Sequence, residues 1–373
     1  MAELKRVLGF WTILSLAIGS IMGTGLFFGT YIGSRYSGNA SILAWIILSF
    51  IALYISFYFA ELVSMYPKAG GVYEFSKHAY SRFFSFLMGW TAWIVGNLTT
   101  ALLVVAAIDY LIPDPSKLWI KIGISIILII FLNMVAYFGI EASAFFLVIF
   151  AIVSVSVLLS IIIPGTFHIN IGNYSPFFVF GVPSMLITIF YLSESFFGWE
   201  SATYLAEETQ NPEKVIPKAI ILGTVIVGIL GISITAVSLG IIPWKTLAIS
   251  PAPLTLVSTE LLGNLGTELI SIGIFATLIG SVASGVITMP RLILALARDK
   301  LFISQFSDVH EKFKTPYKAI IFQTIVSLLV FAMAFGRYTS LLILVLPLGF
   351  IMYFFIILSV VILRKKEPHA RRA

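Results

Sequence analysis

Two short stretches of this sequence carry residue types that apolar surroundings rarely tolerate. One is Gly19-Ser20-Ile21-Met22-Gly23-Thr24-Gly25, with three glycines and two hydroxyls inside a hydrophobic run. The other is Ser193-Glu194-Ser195-Phe196-Phe197-Gly198-Trp199-Glu200, with two carboxyls inside a second such run. Glycine costs about 1 kcal/mol against alanine inside a helix and readily takes non-helical dihedrals. Unwinding at either stretch would free backbone N–H and C=O groups. Half-helix N-termini favour a carboxylate and freed carbonyls favour an ammonium, so two such breaks together suit a zwitterionic α-amino acid. Gly19 and Gly23 also have the Gly-x-x-x-Gly spacing of close helix packing, which is the competing reading. A carboxylate at the bilayer centre costs on the order of 2.5–3.5 kcal/mol. Glu194 and Glu200 are therefore expected to face a cavity, with a cationic substrate, a proton or a sodium ion as partner. The alternative is a neutral carboxyl hydrogen-bonded in the core. Asn97 is a buried amide, either interhelical glue or a ligand contact.

Other chemistry is excluded by what the sequence lacks. There are no cysteines and only four histidines, none at ligand spacing from another. No metal-ligand cluster, G-x-S-x-G turn or Walker-type phosphate loop occurs. The chain is not expected to be an enzyme or an ATP-driven pump, and no cofactor is expected beyond a coupling ion, H+ or Na+. The net charge of +6 does not call for nucleic acid, because membrane topology accounts for it. No obligate protein partner is evident; the expected partners are the small-molecule substrate and membrane lipid.

The elements that must position these residues are membrane helices. Hydrophobic residues make up 59% of the 373 and charged residues 11%, where soluble domains hold about 25% charged residues. A helix needs about 20 apolar residues to cross roughly 30 Å of hydrocarbon. That criterion predicts spans near 8–33, 41–66, 84–112, 118–139, 142–164, 182–206, 217–242, 267–297, 318–336 and 339–363. The first run is too long for a signal-peptide core of about 7–15 residues and reads as a span. With the N-terminus cytoplasmic, 18 of the 23 Lys and Arg fall inside, and Arg35, Lys117, Lys121, Lys245 and Arg337 fall outside. The positive-inside rule then puts both termini in the cytoplasm. Residues 67–83 suit a short helix along the cytoplasmic face, and 244–264 a short helix over the outer mouth. Ten spans divide into five plus five, and an odd number inverts the second half. The expectation is a single all-α transmembrane domain, with a first repeat near 8–164, a second near 182–363, and the first helix of each repeat broken at mid-membrane.

Several motifs in order resemble the amino acid–polyamine–organocation transporter superfamily. Ser20-Ile21-Met22-Gly23-Thr24-Gly25-Leu26-Phe27 resembles its G-[ST]-G-[IV]-F. Ala60-Glu61-Leu62 with Tyr66-Pro67-Lys68-Ala69-Gly70-Gly71 resembles its AEL…YPKAGG. Ala206-Glu207-Glu208, Asn211-Pro212 and Ile216-Pro217 follow its AEE…NP…IP pattern. Arg291, Ala297-Arg298-Asp299 and Thr315-Pro316 follow in register. The resemblance spans about 300 residues and implies the leucine-transporter fold with alternating access. It implies that Gly23, Thr24 and Gly25, with Ile21 beside them, hold the substrate carboxylate, and that carbonyls near Glu194 and Phe197 hold the amino group. Matching Gly198-Trp199-Glu200-Ser201-Ala202 to an arginine-exchanging branch puts a proton-linked glutamate at Glu200. It also puts that branch's two aromatic walls at Glu194 and Gly285, and a Gly-Asn pair at Gly96-Asn97. The lysine that some relatives carry in helix five falls at Ser154 (Ala151 if the register slips). Ser154 with Ser281 and Ser284 would instead offer oxygens to sodium.

The sequence thus leads to a permease of the plasma membrane that moves amino acids, with Glu194 favouring cationic ones. A polyamine or amine exchanger and a non-transporting amino-acid sensor are the alternatives.

Overall fold

The computed structural model describes residues 4–112, 114–250, 252–334 and 338–370, with side chains for all of these but 115, 140–143, 334 and 339. Arg337, Arg371 and Arg372, three of the residues that enter the charge count, lie outside the described residues. Among the described residues every named element is helical, and the one β-bridge joins Leu8 to Thr209. Seven helical stretches among them are long and apolar enough to cross a membrane. The surface inverts that of a soluble protein. Trp11, Phe50, Trp119, Ile127 and Met333 are exposed, while Thr24, Glu194, Glu200, Arg291 and Gln323 are buried. An apolar outside over a polar inside belongs in lipid, and the chain is a multi-pass membrane protein.

The first predicted span is two helices, α1 (Phe10–Ile21) and α2 (Gly25–Ser37). α3 (Ser41–Met65) leads to the short, largely buried helix α4 (Val72–Ala79), which lies within the predicted 67–83 segment. α5 (Arg82–Leu111), α6 (Leu118–Phe138) and α7 (Ile140–Gly165) follow. The sixth predicted span is α8 (Val182–Leu192), a tighter 3₁₀ turn at Ser193–Phe196, and α9 (Trp199–Tyr204). α10 (Pro212–Ile241) ends before α11 (Trp244–Leu247). α12 (Pro253–Arg298) carries a break at Gly263, whose φ of 68° is outside the helical range. Residues 244–264 therefore hold two helical pieces rather than the one expected: Pro253 starts a new helix, and Gly263 turns it directly into the span. α13 (Tyr317–Ala334) and α14 (Tyr338–Lys366) complete the described helices.

α1 packs on α7, α10 and α12; α3 lies along α10, and α5 and α7 lie along α12. Small residues permit the closest of these approaches. A Cβ on Gly231 would meet the Trp45 ring at 2.5 Å, so α10 takes the indole of α3 only because it offers no side chain there.

Ion pairs tie the elements together around Leu8, Glu208 and Arg364. Arg291 and Glu208 form a bidentate pair at 2.9 Å with neither side chain exposed. Arg298 meets Glu207 at 2.7 Å, and Glu207 also accepts from the Ala69 N–H. Arg364 meets Glu61. The N–H groups of Val7 and Leu8 donate to the Glu208 carbonyl, and Gln210 N–H donates to Leu8. Glu61, Glu207 and Glu208 are thus all partners of arginines. Asp299 accepts from Lys77 and Tyr73, each at 2.6 Å, and its carbonyl accepts from Arg82. Asp109 pairs with Lys121 at 2.7 Å.

Burial would raise the Asp299 carboxyl, but the hydrogen bonds from Lys77 and Tyr73 outweigh it and hold it below the ordinary range. Glu74 is likewise held down, its burial outweighed by His78 and by the charge of Lys77. A depressed carboxylate contributes stability above its unfolded pKa of about 4, and that contribution is lost as pH falls through the folded value. The melting temperature of the purified protein should therefore fall on acidification below about pH 4. Asp299→Asn should lower it at neutral pH and flatten the acid drop; equal acid slopes in the two proteins would contradict this assignment.

Candidate functional site

The two interrupted spans meet at their breaks. α1 ends where Met22 N–H bonds Ile18 and Gly23 N–H turns back to Ile21. α2 restarts two residues later, with Phe27 and Phe28 N–H groups both on the Thr24 carbonyl. Across from it, Gly198 has a φ of 129°, and a Cβ there would lie 2.2 Å from the Ser20 carbonyl oxygen. Only glycine combines that dihedral with that approach. Gly198 fixes how closely the second break sits on the first.

This contact puts Glu194 over the start of α2. Its carboxylate accepts from the Thr24 hydroxyl at 2.9 Å, the Gly25 N–H at 3.1 Å and the Thr24 N–H at 3.4 Å. A Cβ on Gly23 would meet Glu194 Oε1 at 2.7 Å, so the bare backbone lets the carboxylate settle there. Glu194 is 1% exposed and Thr24 is fully buried. The N-terminal turn of a helix presents free N–H groups and a partial positive charge, a natural anion seat. The break predicted for span one is therefore real, and it is a carboxylate cradle. The carboxylate within it belongs to the protein. Buried Ile21 lies under the break and touches Gly198 through its backbone.

Aromatic residues close over this centre. Tyr338 hydroxyl is 2.8 Å from the Thr24 hydroxyl, and its ring stacks on Phe28 at 5.1 Å. Phe28 also meets Tyr110, whose hydroxyl donates to the Phe27 carbonyl. A second node lies on the other side of Gly198. The Gly198 N–H donates to the Tyr353 hydroxyl at 3.0 Å, and that hydroxyl donates to Glu200 at 2.7 Å. Phe197 packs on Tyr353 and Phe350, against Gly349. Among the described residues neither Glu194 nor Glu200 makes an ion pair.

The remaining predicted residues scatter around these nodes. Trp199 is buried: its indole donates to Thr224 at 2.8 Å, and its ring packs on Phe59, Phe196 and Tyr353. Asn97 ties α5 to α13, accepting from Gln323 at 2.9 Å and Ser327 at 3.2 Å and donating to the Trp93 carbonyl. That is the interhelical role, with the amide committed away from the breaks. Gly285 faces Thr100 of α5. Ser281 reaches the first break, donating to the Met22 carbonyl at 3.0 Å. Ser284 donates along its own helix and lies against Gly19. Ser154 donates to Phe150, and no hydrogen bond among the described residues links it to the other two serines. Among the described residues no group of three or more His, Cys, Asp or Glu is placed to hold a metal. Sequence reasoning missed Tyr338 and Tyr353. Their signal was present, as hydroxyls within the last predicted span or at its edge, but nothing in the sequence paired them with breaks more than 150 residues away.

Comparison with known proteins gives one consistent result. A family model described as amino acid permease matches residues 8–373. The chain is 26% identical over 400 residues to the branched-chain amino acid permease BcaP of Bacillus subtilis, covering 100% of this chain and 83% of that one. It is 29% identical over 388 residues to the serine/threonine exchanger SteT of the same organism, covering 99% and 86%. It is 27% identical over 350 residues to the vacuolar cationic amino acid transporter 2 of Arabidopsis thaliana, covering 86% and 54%.

The Tyr353 hydroxyl bridges the second break to Glu200, so removing it strands two buried groups. Each costs about 1–3 kcal/mol when left unsatisfied. Tyr353→Phe should lower the melting temperature of the purified protein by several degrees, while Phe350→Leu, which removes no hydrogen bond, lowers it less. Equal losses would mean that the ring alone matters.

Proposed function

Because the chain belongs to the amino acid permease family, within the amino acid–polyamine–organocation superfamily, we propose that it is a secondary active transporter that carries amino acids across the plasma membrane by alternating access, favours cationic ones, and uses a proton or sodium ion for coupling. Amino-acid transport itself follows from the family, whose members are transporters and not enzymes. The observation that carries the finer reading is the meeting of two broken helices around buried carboxylates with no ion-pair partner among the described residues. A lone carboxylate in a dry interior calls for a cation, and a Lys or Arg side chain of the substrate supplies one.

Other features support the same reading. The pairing of α3 with α10 and of α5 with α12 is what a five-plus-five inverted repeat of ten spans would give, because equivalent helices meet across the pseudo-two-fold axis. The count of 18 Lys and Arg against 5 across the predicted loops supports placing both termini on the cytoplasmic side. The dense ion pairing there suits a gate that opens by breaking charge pairs. Ser281 and Ser284, both against α1, are the candidate oxygens for sodium, and Glu200 with Tyr353 is the candidate proton-linked group.

Uptake into proteoliposomes tests this directly. Labelled lysine should enter saturably, be competed by arginine and ornithine at least tenfold better than by leucine or serine, and respond to an inward proton or sodium gradient. Best competition by putrescine would make the protein an amine exchanger. Binding without uptake would make it a sensor.

A further inference from the structure

We propose that Glu194 is a tethered stand-in for the substrate's own carboxylate: it fills the cradle, and an incoming amino acid must displace it. The inference rests on the transport reading and identifies the residue that sets which amino acids bind. Three donors converge on one carboxylate, the Thr24 hydroxyl and the N–H groups of Thr24 and Gly25. They stand at the start of a 13-residue helix. A second observation marks the place as a ligand seat. Among the described residues Ser195 Oγ is fully buried without a hydrogen-bond partner, and it lies so close to Gly25 that a Cβ there would be 1.9 Å from it. Other buried hydroxyls in the protein, Thr30 and Ser238 among them, also have no partner among the described residues, but Ser195 adjoins the cradle.

The cradle holds one carboxylate and no more. Glu194 already reaches the Gly23 backbone so closely that a Cβ could not fit between them. Two carboxylates on the same three donors would also repel at contact distance. The substrate carboxylate and Glu194 are therefore competitors, and the winner takes the donors. Exchanging one carboxylate for another nearly conserves hydrogen bonds, so an α-carboxylate alone brings little net affinity. The displaced Glu194 then becomes a free anion in a dry site. A substrate with a cationic side chain pairs with it, and a neutral amino acid leaves it stranded. The discrimination thus comes from what Glu194 meets after it leaves. Its place on the 3₁₀ turn at Ser193–Phe196, beside the glycine-only backbone of Gly198, gives it a hinge that a continuous α-helix would deny. The rings of Phe28, Tyr110 and Tyr338 beside Thr24 offer faces to an ammonium.

The test is ligand binding by purified protein in detergent, which does not depend on transport. Glu194→Ala should bind leucine about tenfold tighter than the unaltered protein. The same change should bring no gain for isopentylamine, which is leucine without its carboxylate, and the preference for lysine over leucine should shrink. Glu194→Gln, which keeps the volume but offers a poorer acceptor, should fall between. Acetate at millimolar concentration should raise the melting temperature of Glu194→Ala, by filling the vacated cradle, and leave the unaltered protein unmoved. Leucine binding that weakens or stays equal in both variants would overturn the proposal. If neither protein binds any amino acid, the transport reading fails, while the acetate response still decides whether the cradle accepts a carboxylate.

Discussion

A backbone N–H group inside hydrocarbon has no water to bond, and each one left unpaired costs several kcal/mol. A helix that stops partway across a membrane must therefore find partners for the groups it frees. In this protein the partners are the other break and a few side chains. The first break gives up its helical bonds between Ile21 and Gly25, and the carboxylate of Glu194 takes the N–H groups left at the start of α2. The second break is held by Tyr353 and by the approach of Gly198 to the Ser20 carbonyl. The rest of the fold keeps these two points together. α10 and α12 brace α1, α5 and α13 are tied through Asn97 and Gln323, and Arg291 clasps Glu208.

The same constraint explains why the site suits transport. A permanent cofactor or metal could satisfy the freed groups, but it would not leave. A glutamate on a short turn satisfies them reversibly. Under the proposed alternating access, the carrier must be stable both empty and loaded, and a displaceable glutamate is suited to that.

Much of this was legible in the sequence because it depends on local chemistry. The spans follow from apolar run length, and the predicted bounds of α3, α5 and α6 differ from the observed ones by one or two residues. Gly23, Thr24 and Gly25 announced a break through glycine content, and Glu194 announced itself as a carboxyl where hydrocarbon forbids one. What could not be read was the pairing. The sequence assigned the cradle to the substrate and Glu194 to the substrate's side chain as two separate sites, because residues 170 positions apart carry no signal of contact. The same limit hid Tyr338 and Tyr353 and left Asn97 undecided between glue and ligand. Trp199 sits beside Tyr353 at the second node, while its indole N–H reaches Thr224 on α10, a partner no local pattern announces.

The central claim is that substrate and Glu194 alternate on one set of donors. A structure of the protein with bound lysine tests it most directly. The lysine α-carboxylate should rest on the N–H groups of Thr24 and Gly25, with the Glu194 carboxylate withdrawn from them and turned toward an ammonium. Bound lysine with Glu194 still hydrogen-bonded to Thr24 and Gly25 would contradict it.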